Sequence, residues 1–166
     1  MSMNNMPAMN DMLVRLYELP DVQDHLKRLG DAGMQIRRPN CWEKPLLLDW
    51  IRTHFIASWM QECEIAFTVR PPSCFIAVHH DAIEGFACYD CTRLNFFGPT
   101  GVADNARGKG IGTALLLLCL HAMKDSGYAY AIIGGVGPEA FYTKTAGATR
   151  IERSSPGIYD FSLLQR

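Results

Sequence analysis

The segment from Thr100 to Leu116, Thr-Gly-Val-Ala-Asp-Asn-Ala-Arg-Gly-Lys-Gly-Ile-Gly-Thr-Ala-Leu-Leu, constrains the fold more than any other part of the chain. It reads as a strand that breaks into a glycine-rich turn and opens directly into a long apolar helix. Glycines at 108, 110 and 112 let the backbone approach a ligand closely and adopt φ values that other residues resist. The helix that follows turns its free N–H groups and the positive end of its dipole into the same space, and Arg107 and Lys109 add charge. Such a turn holds a phosphate. It is neither a Walker loop, which needs four residues between its first Gly and a Gly-Lys-Ser/Thr ending, nor a dinucleotide Gly-x-Gly-x-x-Gly fingerprint near the start of a βαβ unit.

At 166 residues the chain is long enough for one domain with a real core and too short for two ordinary ones. We expect a single domain over residues 11–166 behind an unattached start at residues 1–10. Hydrophobic residues make up 48% and charged residues 20%, and a net charge of -1 leaves no footprint for nucleic acid or an anionic membrane. The apolar run from Ile111 to Leu120 is too short to span a bilayer, and the first ten residues lack the basic start and apolar stretch of a signal peptide. A cytoplasmic location follows as the expectation. The six cysteines, at 41, 63, 74, 88, 91 and 119, are then reduced, mostly buried thiols. Cys88-x-x-Cys91 has the spacing of metal and redox motifs, but in a strand residues three apart face opposite sides, so the pair needs a bulge to converge. No metal is expected.

Along the chain, Met12 to Leu29 predicts two short helical pieces interrupted at Pro20. Met34-Gln35-Ile36-Arg37 predicts a strand. A helix follows from Pro45 through His54, and a second after Ser58, whose spacing to Gln61 is that of a capping box, ending by Arg70-Pro71-Pro72. A meander comes next: Cys74 to Val78, a turn at His80-Asp81, Ile83 to Cys91, and Phe96 to Val102. The helix from Gly110 to about Ser126 stops at Gly127, and Tyr128 to Ile133 forms a strand. A short helix begins at Pro138, and Ile151 and Ile158 to Leu163 supply closing strands.

The pattern Arg107-x-x-Gly110-x-Gly112, with Val102 five residues before Arg107, resembles the acetyl-CoA pyrophosphate loop of the GCN5-related N-acetyltransferase (GNAT) family. The element order from about residue 33 onward is similar to that family's. The resemblance implies an α/β fold with mixed α+β character. Its central sheet would be mixed and mostly antiparallel, with helices on both faces and a V-shaped splay at the acetyl-CoA site. The splay would fall between Thr100-Gly101-Val102 and Tyr130-Ala131-Ile132-Ile133, with the pantetheine arm lying in it like an added strand. Thr100, Val102, Arg107, Gly108, Lys109, Gly110, Ile111, Gly112 and Thr113 are the residues implied to hold acetyl-CoA.

The resemblance also implies acetyl transfer to a primary amine. That reaction needs a neutral amine, stabilisation of an oxyanion, and a proton for the departing thiolate. Tyr142 is the candidate general acid, in a segment, Phe141 to Ala148, similar to the family's Tyr-x-Lys-x-Gly-Phe helix. This chain has one more residue before Gly147 and has Ala148 in place of the aromatic. The strand into the loop, Asn95 to Thr100, carries no acid, so the candidate bases are Glu84 or Asp90 on the neighbouring strand, or water. Where relatives often carry an Asn contacting the cofactor, this chain has Gly135.

Trp50, His54, Trp59 and Glu62 on the two early helices are placed to form the acceptor site, although such aromatics equally serve a core; Glu62 and Glu64 suit a cationic amine. The acceptor is expected to be a small-molecule or peptide amine, and exposed sheet edges leave a homodimer open. Two other readings stand beside this one. The first is an acyl-CoA sensor without turnover. The second is transfer of a longer acyl group into room left by Gly134, Gly135 and Gly137.

Overall fold

A computed structural model describes residues 9–159. The described elements are β1 (Met12–Arg15), α1 (Gln23–Asp31), β2 (Met34–Arg37), α2 (Lys44–His54), α3 (Ala57–Ile65), β3 (Cys74–His79), β4 (Ala82–Tyr89), β5 (Phe96–Val102), α4 (Ile111–Asp125), β6 (Tyr130–Ile133), α5 (Glu139–Ala146) and β7 (Thr149–Arg150). Among the described residues they build one seven-stranded sheet in the order β2-β3-β4-β5-β6-β1-β7. Every pairing is antiparallel except β5 with β6, so the sheet is mixed and mostly antiparallel.

Alternation along the strands separates two cores. Ala77, Ala87 and Tyr89 face α4, together with Leu115, Leu116, Leu120 and Met123. Ile76, Phe86, Cys74 and Cys88 face the other way, onto Leu47 and Ile51 of α2 and Cys63 of α3. α4 is buried over eight of its fifteen residues, and each of its fully buried leucines contributes about 1.5–3 kcal/mol. Helices thus cover both faces, as the resemblance implies.

The meander follows the sequence expectation closely. β5 has the expected bounds, and the turn between β3 and β4 places His80 and Asp81 at φ 46° and 61°, the paired left-handed conformation of a tight hairpin. Pro45 lies in the first turn of α2, and Gly127 closes α4 at φ 101°.

Three local expectations fail. Met12–Arg15 is a strand rather than a helix: Met12 and Val14 are buried, and both of its edges are paired, to β6 and to β7. Local three-residue spacing of leucines yields here to the tertiary pairing. Ser58 does not cap a helix, because α3 already starts at Ala57, behind an extended Ile56. The capping box sits instead at Asn40 and Glu43. Finally, α3 ends at Ile65, ahead of the Arg-Pro-Pro break.

At the C-terminal end only Thr149–Arg150 is a strand. Ile158 and Tyr159 are not, and 160–163 lie outside the described residues. At the other end, Asn10, expected to be unattached, accepts a 3.0 Å hydrogen bond from Val136 N–H.

Candidate active site

β5 and β6 run parallel but pair only at Phe96↔Ile132 and Phe97↔Ile133. Beyond Phe97 the strands part, because β6 ends at Ile133 while β5 continues to Val102. The chain facing the open side of β5 is therefore Gly134 to Val136, not Tyr130 to Ile133; Tyr130 and Ala131 pair only with β1. Ala103 N–H is spent on Glu84 O at 2.9 Å. Backbone groups alternate between the edges of a strand, so Val102 and Thr100 turn theirs toward the gap. Val102 O there accepts a 3.5 Å bond from Arg107 Nε.

The gap runs into the glycine turn. Gly108 and Gly110 adopt φ of 79° and 88°, left-handed values that an L side chain resists. Gly112 has ordinary room around it, its nearest neighbours being Val102 and Phe141. Its missing side chain leaves space rather than permitting a conformation. Among the described residues no backbone N–H from 108 to 113 forms a hydrogen bond, the first of α4 being Ala114 N–H to Gly110 O at 3.1 Å. Six donors at and before the N-terminus of α4 thus have no protein acceptor, and free N–H groups at a helix N-terminus favour an anion.

Three cations surround these donors. Arg107 is exposed and lies 3.1 Å from Asp104. Lys109 Nζ stands 3.7 Å from Glu84 Oε2. The third, Arg28 of α1, has its guanidinium 2.8 Å from where a Gly110 Cβ would sit. Sequence reading missed Arg28, since nothing in its helix points to the loop; its place follows only from the packing of α1 on α4.

The two candidate bases lie apart. Asp90 Oδ1 accepts from Asn95 N–H at 2.7 Å, and Oδ2 from the Tyr128 hydroxyl at 3.2 Å, so its carboxylate closes the β4–β5 turn. Glu84 lies opposite the last residues of β5, at the phosphate end. Its Oε1 meets His79 Nδ1 at 3.3 Å, and its buried Oε2 has no hydrogen-bond partner among the described residues. The β3–β4 register shifts beside Glu84, and Asp90, at φ 57°, lies beyond the end of β4, so the two carboxylates do not share a regular strand face. Glu84 is instead a counter-charge for Lys109.

Tyr142 of α5 packs against Phe97, where β5 and β6 separate, with ring centroids 6.4 Å apart. Burial pushes its phenol up to about 12, so it remains protonated at neutral pH and able to donate. Its hydroxyl forms no hydrogen bond within the described residues. Tyr159 lies over Gly134 and Gly135, so closely that a Cβ on Gly134 would collide with its hydroxyl. Asp11 ties this corner together: it accepts from Gly135 N–H at 2.8 Å, and its own N–H donates to Ser154 Oγ at 2.7 Å.

On the α2–α3 side, Trp50, Phe55, Trp59 and Phe86 form a continuous aromatic cluster, and His54 stacks on Trp50 at 4.5 Å. The tryptophans are half-buried packing residues. The Phe55 ring rests directly on Gly101, where any side chain would enter it. Glu62 accepts a hydrogen bond from Thr92 and borders a depression of about 340 Å³, lined also by Gln61, Arg93 and Tyr159. Glu64 is turned away, paired with Lys44 at 3.0 Å.

The model of the acetyltransferase (GNAT) family matches residues 44–147, and the chain belongs to that family. Among solved structures, the chain is similar to the GCN5-related glucosamine N-acetyltransferase region of a fungal multi-domain β-N-acetylglucosaminidase, at TM-score 0.69 and 15% identity over 89% of this chain and 20% of that one. It is also similar to a GCN5-related N-acetyltransferase from Sphaerobacter thermophilus, at TM-score 0.63 and 17% identity over 87% of this chain and 50% of that one. One from Kribbella flavida gives 0.55 and 12% over 87% and 55%. The chain thus spans half or less of the first two structures it resembles. No curated protein matches by sequence. No helix of the described residues is long and apolar enough to cross a membrane.

Proposed function

We propose that the chain is an acetyl-CoA-dependent N-acetyltransferase acting on a primary amine, most simply a small-molecule amine. The observation that carries this reading is the continuity of the β5–β6 gap with the unpaired N–H groups of 108–113. An extended, amide-bearing arm ending in a pyrophosphate matches both at once. In this reading Thr100 and Val102 bond the pantetheine, Gly108 to Thr113 hold the pyrophosphate, and Arg28, Arg107 and Lys109 neutralise it.

The amine attacks the thioester carbonyl where the strands separate, and the tetrahedral intermediate expels the thiolate, which takes a proton from Tyr142. With Asp90 and Glu84 committed elsewhere, water removes the amine proton. The amine enters through the depression bordered by Glu62 and Tyr159, whose carboxylate suits a cationic acceptor. Tyr159 fills the room beside Gly134 and Gly135, which supports acetyl over longer acyl groups.

The test is thermal unfolding with and without acetyl-CoA, beside Arg107→Ala. At a hundredfold excess over Kd a true ligand adds about 2.7 kcal/mol, or roughly 5–11 °C. A shift lost in the variant supports the reading and leads to an amine panel, amino sugars included, read by free-thiol release. No shift in either protein overturns it. A sensor without turnover is the second reading, favoured by the lack of a carboxylate at the strand separation; it binds acetyl-CoA yet releases no thiol with any amine.

A further inference from the structure

On the face of the sheet away from α4, three thiols from three separate elements meet. Cys63 of α3, Cys74 of β3 and Cys88 of β4 are each 0% exposed, and their Sγ atoms lie within 4.8 Å of one another. Cys74 and Cys88 are cross-strand partners, so two sulfurs are fixed by the sheet and the third descends from the helix above. Cys91 stands outside this triangle. It lies beyond the end of β4, where Asp90 turns left-handed at φ 57°, and its Sγ donates to Tyr89 O at 3.3 Å and meets Ser73 Oγ at 3.8 Å.

We propose that Cys63, Cys74 and Cys88 form a buried site for one thiophilic closed-shell metal ion, zinc or cuprous copper. A metal–sulfur bond of about 2.3 Å places sulfurs about 3.8–4.0 Å apart in tetrahedral or trigonal geometry. Small χ1 rotations close the present triangle to that size. Soft thiolates select these ions over harder ones. Binding releases the thiol protons.

The site has a structural purpose in this fold. Cys63 is the only fully buried residue within α3, so the helix has a single deep anchor on the sheet. A metal bond converts that anchor from one apolar contact into a covalent-strength link to β3 and β4. Cys119, buried alone in α4, shows what a thiol serving only as packing looks like here, and it provides the control.

The experiment uses the full chain, purified under reductant and refolded with equimolar zinc or cuprous ion. After dialysis against EDTA, bound metal is counted by plasma mass spectrometry, in wild type, Cys63→Ser, Cys88→Ser and Cys119→Ser. About one ion per chain in wild type and Cys119→Ser, and under a tenth of that in the other two, supports the site. The ion retained through dialysis identifies it as zinc or copper. Should the cluster variants fail to fold, cobalt refolded into wild type decides: intense sulfur-to-cobalt charge-transfer bands support the site, and their absence overturns it. No retained metal in wild type, or equal retention in Cys63→Ser, overturns it as well, the latter as adventitious binding.

Discussion

The guanidinium of Arg28 packs on the α-carbon side of Gly110, 2.8 Å from the position a side chain would take. This contact joins the first helix of the chain to the N-terminus of α4, and it explains why the turn requires glycine there twice over: once for the left-handed φ, once for the arginine. Replacing Arg28 by Ala removes a cation from the phosphate end without touching the strands. The expected result is an acetyl-CoA KM raised about fivefold to tenfold at low salt, a difference that shrinks as ionic strength rises, with kcat nearly unchanged. Steady-state kinetics at two salt concentrations checks it; an unchanged KM at low salt would remove Arg28 from the site.

Tyr142→Phe keeps the packing against Phe97 and deletes only the hydroxyl. As the proton donor to the thiolate its loss should lower kcat by about a hundredfold or more, while acetyl-CoA affinity measured by calorimetry stays within about twofold. If kcat falls less than threefold, the phenol is a packing group.

Gly134 and Tyr159 form a second dependent pair. Gly134→Ala forces the Tyr159 ring out of its place over the end of β6, and overpacking of this kind costs about 1–3 kcal/mol. We expect the loss in Tm to be largely restored in Gly134→Ala/Tyr159→Ala, as a double-mutant cycle would show. Additive losses would mean that the two side chains do not meet in solution.

Acid stability should report on Glu43. Its carboxylate pairs with Arg37 at 2.7 Å and accepts Asn40 N–H at 2.6 Å; the Arg37 hydrogen bonds above all hold its carboxyl down at about 2. Because the folded pKa lies below the unfolded one, the stabilisation is complete above about pH 4.5 and is lost as pH falls toward 2. Both groups are partly solvated, so the contribution at neutral pH is about 1 kcal/mol. Glu43→Gln should therefore unfold at a lower temperature than wild type at pH 7, with the difference narrowing as pH falls below 4. A gap independent of pH would assign the effect to packing.

The parts of the fold that the sequence made legible are those where local rules and tertiary packing agree. Phe96–Val102, the positive-φ glycines at 108 and 110, and the long α4 each carry a signal that the surrounding structure reinforces. Met12–Arg15 was hidden because its leucine spacing suits a helix, and only the two partner strands, far away in sequence, make it a strand. Arg28 was hidden for the same reason, since a cation on an exposed helix face looks identical whether it meets solvent or a phosphate turn. The separation of Glu84 from Asp90 depends on a register shift beside the first and a left-handed turn at the second, which leave no compositional mark.

β1 is the earliest described strand, yet it pairs on one edge with β6 and on the other with β7. Its partners come from Tyr130–Ile133 and Thr149–Arg150, so neither edge can be paired until those later segments exist. The strand that borders the gap therefore depends on a segment far away in sequence. A chain cut ahead of Tyr130 keeps the glycine turn but leaves β1 without either neighbour.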